Sequence, residues 1–339
     1  MDYHTPILIT GATGFVGSYT ARLLIQQGYT QLHALRRPGS QLTLLGAAAD
    51  KITWHEAELE DYFSLEAALE GIDTIIHCAA LVSFAPRDKE KLLTINRKGT
   101  QYLVDAALFQ KVRRLIHVSS VAALGRNNHG HLISESSKWE DGRLVTNYSR
   151  SKFLAELEVW RGQEEGMSVA AVYPSIILGA GHWSEGTAKM FAYAQQSPTY
   201  YPTGSTGVVD VRDVAEAILL TLKRDEKNDR FLLNGANLSY RELLTQMTTA
   251  LGVPAPKKPL PKWGAQLLAI AEKIRTIFTR STPLLTSETV RASYQNYVYD
   301  SRHSEETLGM TYRDAETTIG ETAALFMATR EEGSGVLGL

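Results

Sequence analysis

Short apolar runs alternate with longer segments whose apolar positions recur at helical spacing through the first half of the chain. "ILIT" (7–10), "QLHAL" (31–35), "KITWHEA" (51–57), "IDTIIHCAA" (72–80), "VRRLIHVSS" (112–120) and "MSVAAVYP" (167–174) read as strands. Between them, "FVGSYTARLLIQQG" (15–28), "DYFSLEAALEG" (61–71), "NRKGTQYLVDAALFQ" (96–110) and "YSRSKFLAELEVWRGQEEG" (148–166) read as helices, the first closing on Gly28 and the second on Gly71. Strand, helix, strand at this pace predicts right-handed crossovers and an α/β, Rossmann-type, doubly wound parallel sheet. Ligands of such sheets lie beyond the carboxyl ends of the strands, so chemistry-bearing residues are sought there.

Past residue 175 the pattern loosens. "GVVDVRDVAEAILLTLKRD" (207–225) reads as a helix and "RFLLNG" (230–235) as one more strand of the sheet. The expected division is a nucleotide-binding domain of residues 1–174 plus 207–235 and a smaller, discontinuous substrate domain of 175–206 plus 236–330. The stripe "KWGAQLLAIAEKIRTIF" (262–278) has three readings: a core helix, a lid over an apolar substrate, or a membrane-surface helix. Trp183, Tyr200 and Tyr201 are either pocket-lining or core aromatics, and "EEGSGVLGL" at the end reads as a frayed tail.

Composition narrows the function classes. The formal charge of 35 − 37 = −2, with no basic block, argues against nucleic acid as a partner. Cys78 is the only cysteine, which excludes an intrachain disulfide and suits a reducing compartment, so the cytoplasm is expected. No signal peptide and no membrane span are expected, because no apolar run is long enough. No HExxH or paired CxxC points to a metal.

"TGATGFVG" (10–17) follows the first strand and opens the first helix. Gly11, Gly14 and Gly17 allow a tight turn, close approach to a pyrophosphate and packing of the helix on the sheet. The helix start then offers free N–H groups and the positive dipole end to the phosphates. At the end of the second strand stand Leu35, Arg36 and Arg37, with no acid to bind a ribose hydroxyl. Arginine donates in a planar fork that matches phosphate, so Arg36 favours NADP over NAD.

In "TNYSRSK" (146–152), Tyr148 and Lys152 leave one helix face a turn apart. A phenol has a pKa near ~10, and a neighbouring ammonium with a nicotinamide cation would favour its charged form. Such a group suits general acid–base catalysis at neutral pH.

The glycine loop, "HCAA" (77–80), "HVSS" (117–120) and Tyr148-x-x-x-Lys152 occur in the order found in one family. The chain resembles an extended short-chain dehydrogenase/reductase of the NAD-dependent epimerase/dehydratase superfamily, from "ITGATGFVG" to "YDSRHSEETLG" (299–309). "LRRPGS", "SSVAALG" and "PLLTSETVRAS" are similar to its dihydroflavonol-reductase-like and 3β-hydroxysteroid-dehydrogenase-like branch. The resemblance implies catalysis by Ser120, Tyr148 and Lys152, with Lys152 also binding the nicotinamide ribose. It implies cofactor contacts from Thr13, Phe15 and Val16 in the glycine loop, and from Glu58 and Leu59 beside the adenine. Glu58 replaces the family's aspartate. Cys78, Ala79 and Ala80 would line the cofactor, Asn96 of an Asn-x-x-Gly motif would support it, and Tyr173, Pro174 and Ser175 would lie by the nicotinamide. Arg212, in "VVDVRDVAEA" (208–217), is either near the substrate or part of a structural salt bridge. Sugar dehydratases of the family carry Asp-Glu after the catalytic hydroxyl; Val121 and Ala122 stand here, which argues against dehydration.

The expected activity is hydride transfer between NADP and a carbonyl/secondary alcohol substrate. The alternatives are a nucleotide-sugar epimerase that retains its cofactor and a non-catalytic NAD(P)-binding regulatory protein. A small-molecule substrate is the expected partner, and a homodimer is compatible with the sequence.

Overall fold

The computed structural model describes residues 2–125, 132–224, 229–279 and 286–339. Seven strands form the main sheet: β1 (Ile7–Thr10), β2 (Leu32–Arg36), β3 (Thr53–Glu56), β4 (Thr74–His77), β5 (Arg114–Val118), β6 (Ser168–Pro174) and β7 (Asp229–Leu233). Their order is β3-β2-β1-β4-β5-β6-β7, and every neighbouring pair is parallel. The central strands β1, β4, β5 and β6 are buried along their whole length, as continuous apolar runs covered on both faces must be.

The helices that cover the sheet include α1 (Phe15–Gln26), α2 (Tyr62–Ala68), α3 (Gly99–Phe109), α4 (Asn147–Glu164) and α5 (Val211–Lys223). Strand alternation sends Ile7 and Ile9 to one face, where they pack with Leu24 of α1 and Val214 and Ile218 of α5. Leu8 goes to the other, against Leu65, Leu103 and Val159 of α2, α3 and α4. Two cores on one sheet are the doubly wound architecture that the periodicity predicts.

Four local differences from the expected elements have physical causes. The 207–225 segment divides: Ser205–Asp210 is a strand, paired with Ile176–Leu178 and Ala236–Ser239 in a second small sheet, and α5 begins only after it. β-Branched Val208 and Val209 fill the strand, and the Asp210 carboxylate caps α5 by accepting from the Arg212 N–H at 2.7 Å. The helix expected to begin at 96 continues an earlier helical stretch, with Leu93–Lys98 in π-helical geometry. The C-terminal tail is not frayed: Leu337 is buried in a core cluster with Tyr19 and Phe326, its N–H donates to the Tyr19 hydroxyl at 2.7 Å, and Gly335 N–H donates to the Gly181 carbonyl. Lys262–Thr279 is not a core helix either, because Trp263, Leu267, Leu268 and Ile270 are exposed while Ala265 and Ala269 are buried.

Trp183 is a core residue, donating from Nε1 to Thr329, whereas Tyr200 is exposed and Tyr201 lies beneath Arg241. No helix among the described residues is long and apolar enough to cross a membrane. Asp225 and the opening "PLL" (283–285) of the family-like segment lie outside the described residues.

Candidate active site

The β1–α1 turn is shaped by contacts that only glycine tolerates. Gly11 has φ +68°, and a Cβ there would stand 2.8 Å from the backbone of Ala79, where the ends of β1 and β4 meet. A Cβ on Gly17 would stand 2.2 Å from the Gly11 carbonyl oxygen, so this glycine lets the helix seat on the turn. Gly14 is the exposed N-cap of α1, and no side chain caps the helix. The start of α1, with Thr13, Phe15 and Val16 around it, thus keeps N–H groups for an anion. The Phe15 ring turns away, packing on Gly179 and Gly181, so its contribution to the loop is its backbone.

Along the strand ends the remaining candidates line up. Arg36 lies in register with Glu56 of β3 and pairs with it at 3.1 Å, while the Arg36 Nε is buried without a partner among the described residues. Glu58 and Leu59 follow β3. A Cβ on Gly99 would meet the Leu59 Cβ at 2.8 Å, which is why the Asn-x-x-Gly motif ends in glycine. Cys78, Ala79 and Ala80 follow β4, and burial pushes the Cys78 thiol up to about 12, so it is chemically quiet. Buried Asn96 accepts from Leu81 N–H at 2.7 Å and donates to the Leu81 carbonyl and to Ser151 Oγ, both at 2.9 Å. Ser151 donates in turn to the Tyr148 carbonyl at 2.8 Å, so Asn96 ties the loop after β4 to the first turn of α4.

Thr146 begins α4 with a capping box shared with Ser149, and this fixes the turn that carries Tyr148. Ser120 stands close enough to the Tyr148 hydroxyl to favour its charged form, and the Ser120 Oγ accepts from Ala122 N–H at 3.1 Å. One turn on, Lys152 is 2% exposed and donates from Nζ to the Val118 carbonyl at 2.9 Å. Burial draws its ammonium down to about 8, with Glu156 opposing. Burial also raises the Tyr148 phenol, offset in part by Ser120. The lowering expected from Lys152 is not found: desolvation of the phenolate dominates, and Ser120 alone opposes it. Behind this pair His77 and His117 are kept neutral by burial and by the Lys152 charge, His77 down to about 3. His77 sits between Thr10 at 2.7 Å and Thr100 at 3.0 Å.

A glycine turn at the first crossover, small side chains at the next strand end and a Ser-Tyr-Lys group beyond it make a recognisable set. The sequence model of the NAD dependent epimerase/dehydratase family matches residues 7–233. The chain belongs to that family. It is 31% identical over 328 residues to a Synechocystis sp. protein provisionally named dihydroflavonol 4-reductase, covering 94% of this chain and 93% of that one. With cinnamoyl-CoA reductase 2 of Arabidopsis thaliana it shares 28% identity over 269 residues, 75% of this chain and 79% of the reductase. Among solved structures, gox2253 is 28% identical with a TM-score of 0.81 over 96% of this chain and 98% of that one. The dTDP-glucose 4,6-dehydratase DesIV of Streptomyces venezuelae, solved with NAD bound, shares the fold at 20% identity, with a TM-score of 0.77 over 97% of this chain and 98% of that one. This epimerase/dehydratase-family member is an NAD(P)-dependent oxidoreductase.

The residues present fit a dinucleotide in this family's manner. The uncapped α1 start suits a pyrophosphate, and buried Ser175 Oγ and His117 Nδ1 have no partner among the described residues. Pro174 ends β6 and Ser175 N–H donates to the Leu233 carbonyl at 3.0 Å. Tyr173 is fully buried and its hydroxyl donates to Glu156 at 2.6 Å, so its backbone is what it offers a cofactor.

Two residues escaped the sequence reading. Glu156 is buried and accepts from Ser119 (3.0 Å), Trp160 (2.9 Å) and Tyr173 (2.6 Å), with Arg230 at 3.7 Å. Its signal was present, four residues after Lys152 on the Tyr148 face. Phe84, in the loop after β4, stands edge-on to Tyr148 with ring centroids 5.5 Å apart, and nothing local announces it. A cavity of about 350 Å³ is bordered by Ala122, Ser149 and the 139–145 loop; neither Phe84 nor Tyr148 lines it. Arg212 is structural, clamped by Asp210 at 2.6 Å and Glu321 at 2.7 Å.

Proposed function

We propose that this protein is an NADP-dependent reductase that converts a ketone or aldehyde on an apolar substrate to the alcohol, with Tyr148, Lys152 and Ser120 as its catalytic group. The observation that carries the reading is Ser120 beside the Tyr148 phenol, with buried Lys152 one turn further along the same helix. The nicotinamide supplies the hydride when bound. Tyr148, held protonated by burial, donates its proton to the substrate oxygen, which suits reduction over alcohol oxidation. Ser120 holds that oxygen by a hydrogen bond, and Lys152 places a positive charge beneath the site as the phenolate forms.

Arg36, with no acid at the end of β2 and a nitrogen lacking a partner, would take the 2′-phosphate. The Arg36–Glu56 pair does not oppose this, because exposed ion pairs contribute only ~0–1 kcal/mol and exchange readily. Partly exposed Phe84 and Val82 support an apolar substrate, as do the cinnamoyl-CoA and anthocyanidin reductases among the relatives.

The test is nicotinamide fluorescence titration with NADPH and NADH, on wild type and Tyr148→Phe, followed by NADPH oxidation over a ketone and aldehyde panel. Tighter NADPH binding is expected, unchanged in the variant, with turnover reduced on the order of 10²–10⁴-fold. Retained turnover removes Tyr148 from the mechanism, and an NADH preference removes Arg36. Cofactor that survives purification and is never consumed points to an epimerase instead.

A further inference from the structure

The helix Lys262–Thr279 meets the rest of the protein with its small residues. Ala265 and Ala269 are buried against Val290, with Leu260 and Tyr294 alongside. The large apolar residues face outward: Trp263 is 68% exposed, Leu267 58% and Ile270 52%. These three follow i, i+4, i+7 spacing and form one face, with exposed Leu268 on its flank. A helix covering a globular core points its large side chains the other way.

Along the chain, the charge leading into this face has one sign. From Leu243 to Ala271 the chain holds Lys257, Lys258 and Lys262 and no acidic residue, although the whole protein is formally −2. All three lysines are exposed, and the next acid, Glu272, is already paired with Arg275 at 2.7 Å.

We propose that Lys262–Thr279 is a peripheral docking helix that lays its Trp263–Leu267–Ile270 face on an anionic phospholipid surface. The apolar side chains enter the boundary between headgroups and acyl chains, Trp263 suits its mixed polarity, and the lysines extend over apolar surface to reach the phosphates. A second copy of the chain fits less well. A two-fold interface sets a patch against itself, which would bring the lysines of both copies together. A lid over the protein's own site would need the exposed face to turn inward.

The docking helix also communicates with the chemistry. Val290 lies on the helix Ser287–Ser293, and Glu288 of that helix accepts from Asn147 Nδ2 at 3.2 Å, one residue before Tyr148. Delivery of a bilayer-dissolved substrate to Tyr148 rests on the reductase reading above; the docking itself does not.

Vesicle flotation tests it without turnover. Full-length protein is mixed with vesicles of phosphatidylcholine alone or with about one third phosphatidylglycerol. Flotation with the anionic vesicles is expected, weakened by salt. It should fall about fivefold for each lysine replaced, or about a hundredfold in Lys257→Gln/Lys258→Gln/Lys262→Gln. Trp263→Ala/Leu267→Ser should also lose it, while melting temperature and NADPH binding stay unchanged because both residues are exposed. No flotation at low salt overturns the proposal, and so does equal binding to neutral vesicles that ignores the lysine variant. Conversion of a dimer to a monomer by Trp263→Ala/Leu267→Ser, without vesicle binding, would assign the face to self-association instead.

Discussion

Lys152 carries its charge in a place that resists charge. Its ordinary value of 10.5 falls to about 8 in the folded chain. Between those values the unfolded chain holds the proton and the folded chain does not, so this residue makes stability rise with pH across that window. Below about 8 the buried cation destabilises in full, by roughly 3 kcal/mol. Lys152→Met should therefore raise the melting midpoint at pH 7 by a few degrees while abolishing turnover. Circular dichroism against temperature decides it: an unchanged or lower midpoint would show that the Val118 hydrogen bond outweighs the desolvation. Wild-type turnover should also decline above pH 8, as the ammonium beneath Tyr148 loses its proton.

At the scale of elements, α4 presents Tyr148, Lys152 and Glu156 a turn apart. Tyr148 addresses Ser120, Lys152 reaches the end of β5, and Glu156 binds both Ser119 and Tyr173 of β6. The helix is thereby locked in rotation against two strand ends. Glu156→Ala would leave three donors without an acceptor, Ser119 and Tyr173 buried and Trp160 half-buried, and should cost about 3–5 kcal/mol in denaturant unfolding. Glu156→Gln retains the shape and should cost less. If Glu156 only stabilises, turnover of the folded Gln variant will match wild type; if it positions Tyr148, kcat will fall with NADPH affinity unchanged.

Across the whole molecule, the C-terminus returns to the first helix. Leu337 inserts between α1 and the 180–183 segment, and its N–H meets the hydroxyl of Tyr19, which itself donates to Ala180 at 2.9 Å. Removing residues 334–339 should cost about 2–5 kcal/mol, the range for deleting a buried leucine. Because Tyr19 and Phe15 lie on the helix that begins at the glycine turn, NADPH binding should weaken as well. Equal melting curves and equal NADPH affinity for full-length and shortened chains would show that the tail contributes nothing.

The parallel doubly wound sheet and the glycine turn were legible because they rest on local signals: β-branched runs, helical periodicity, and glycines spaced for a turn between strand and helix; the order of the strands was not. Tyr148 and Lys152 were legible for the same reason, since one helical turn separates them whatever surrounds the helix. Tertiary structure decided the rest. Phe84 reaches Tyr148 from another strand end, Tyr173 faces Glu156 rather than a ligand, and Leu337 finds its core more than three hundred residues from Tyr19. The direction in which 262–279 turns its apolar face was equally undetermined, since a stripe states that one side is hydrophobic and not which side the protein covers. Periodicity constrains neighbours along the chain; burial depends on what the fold brings alongside.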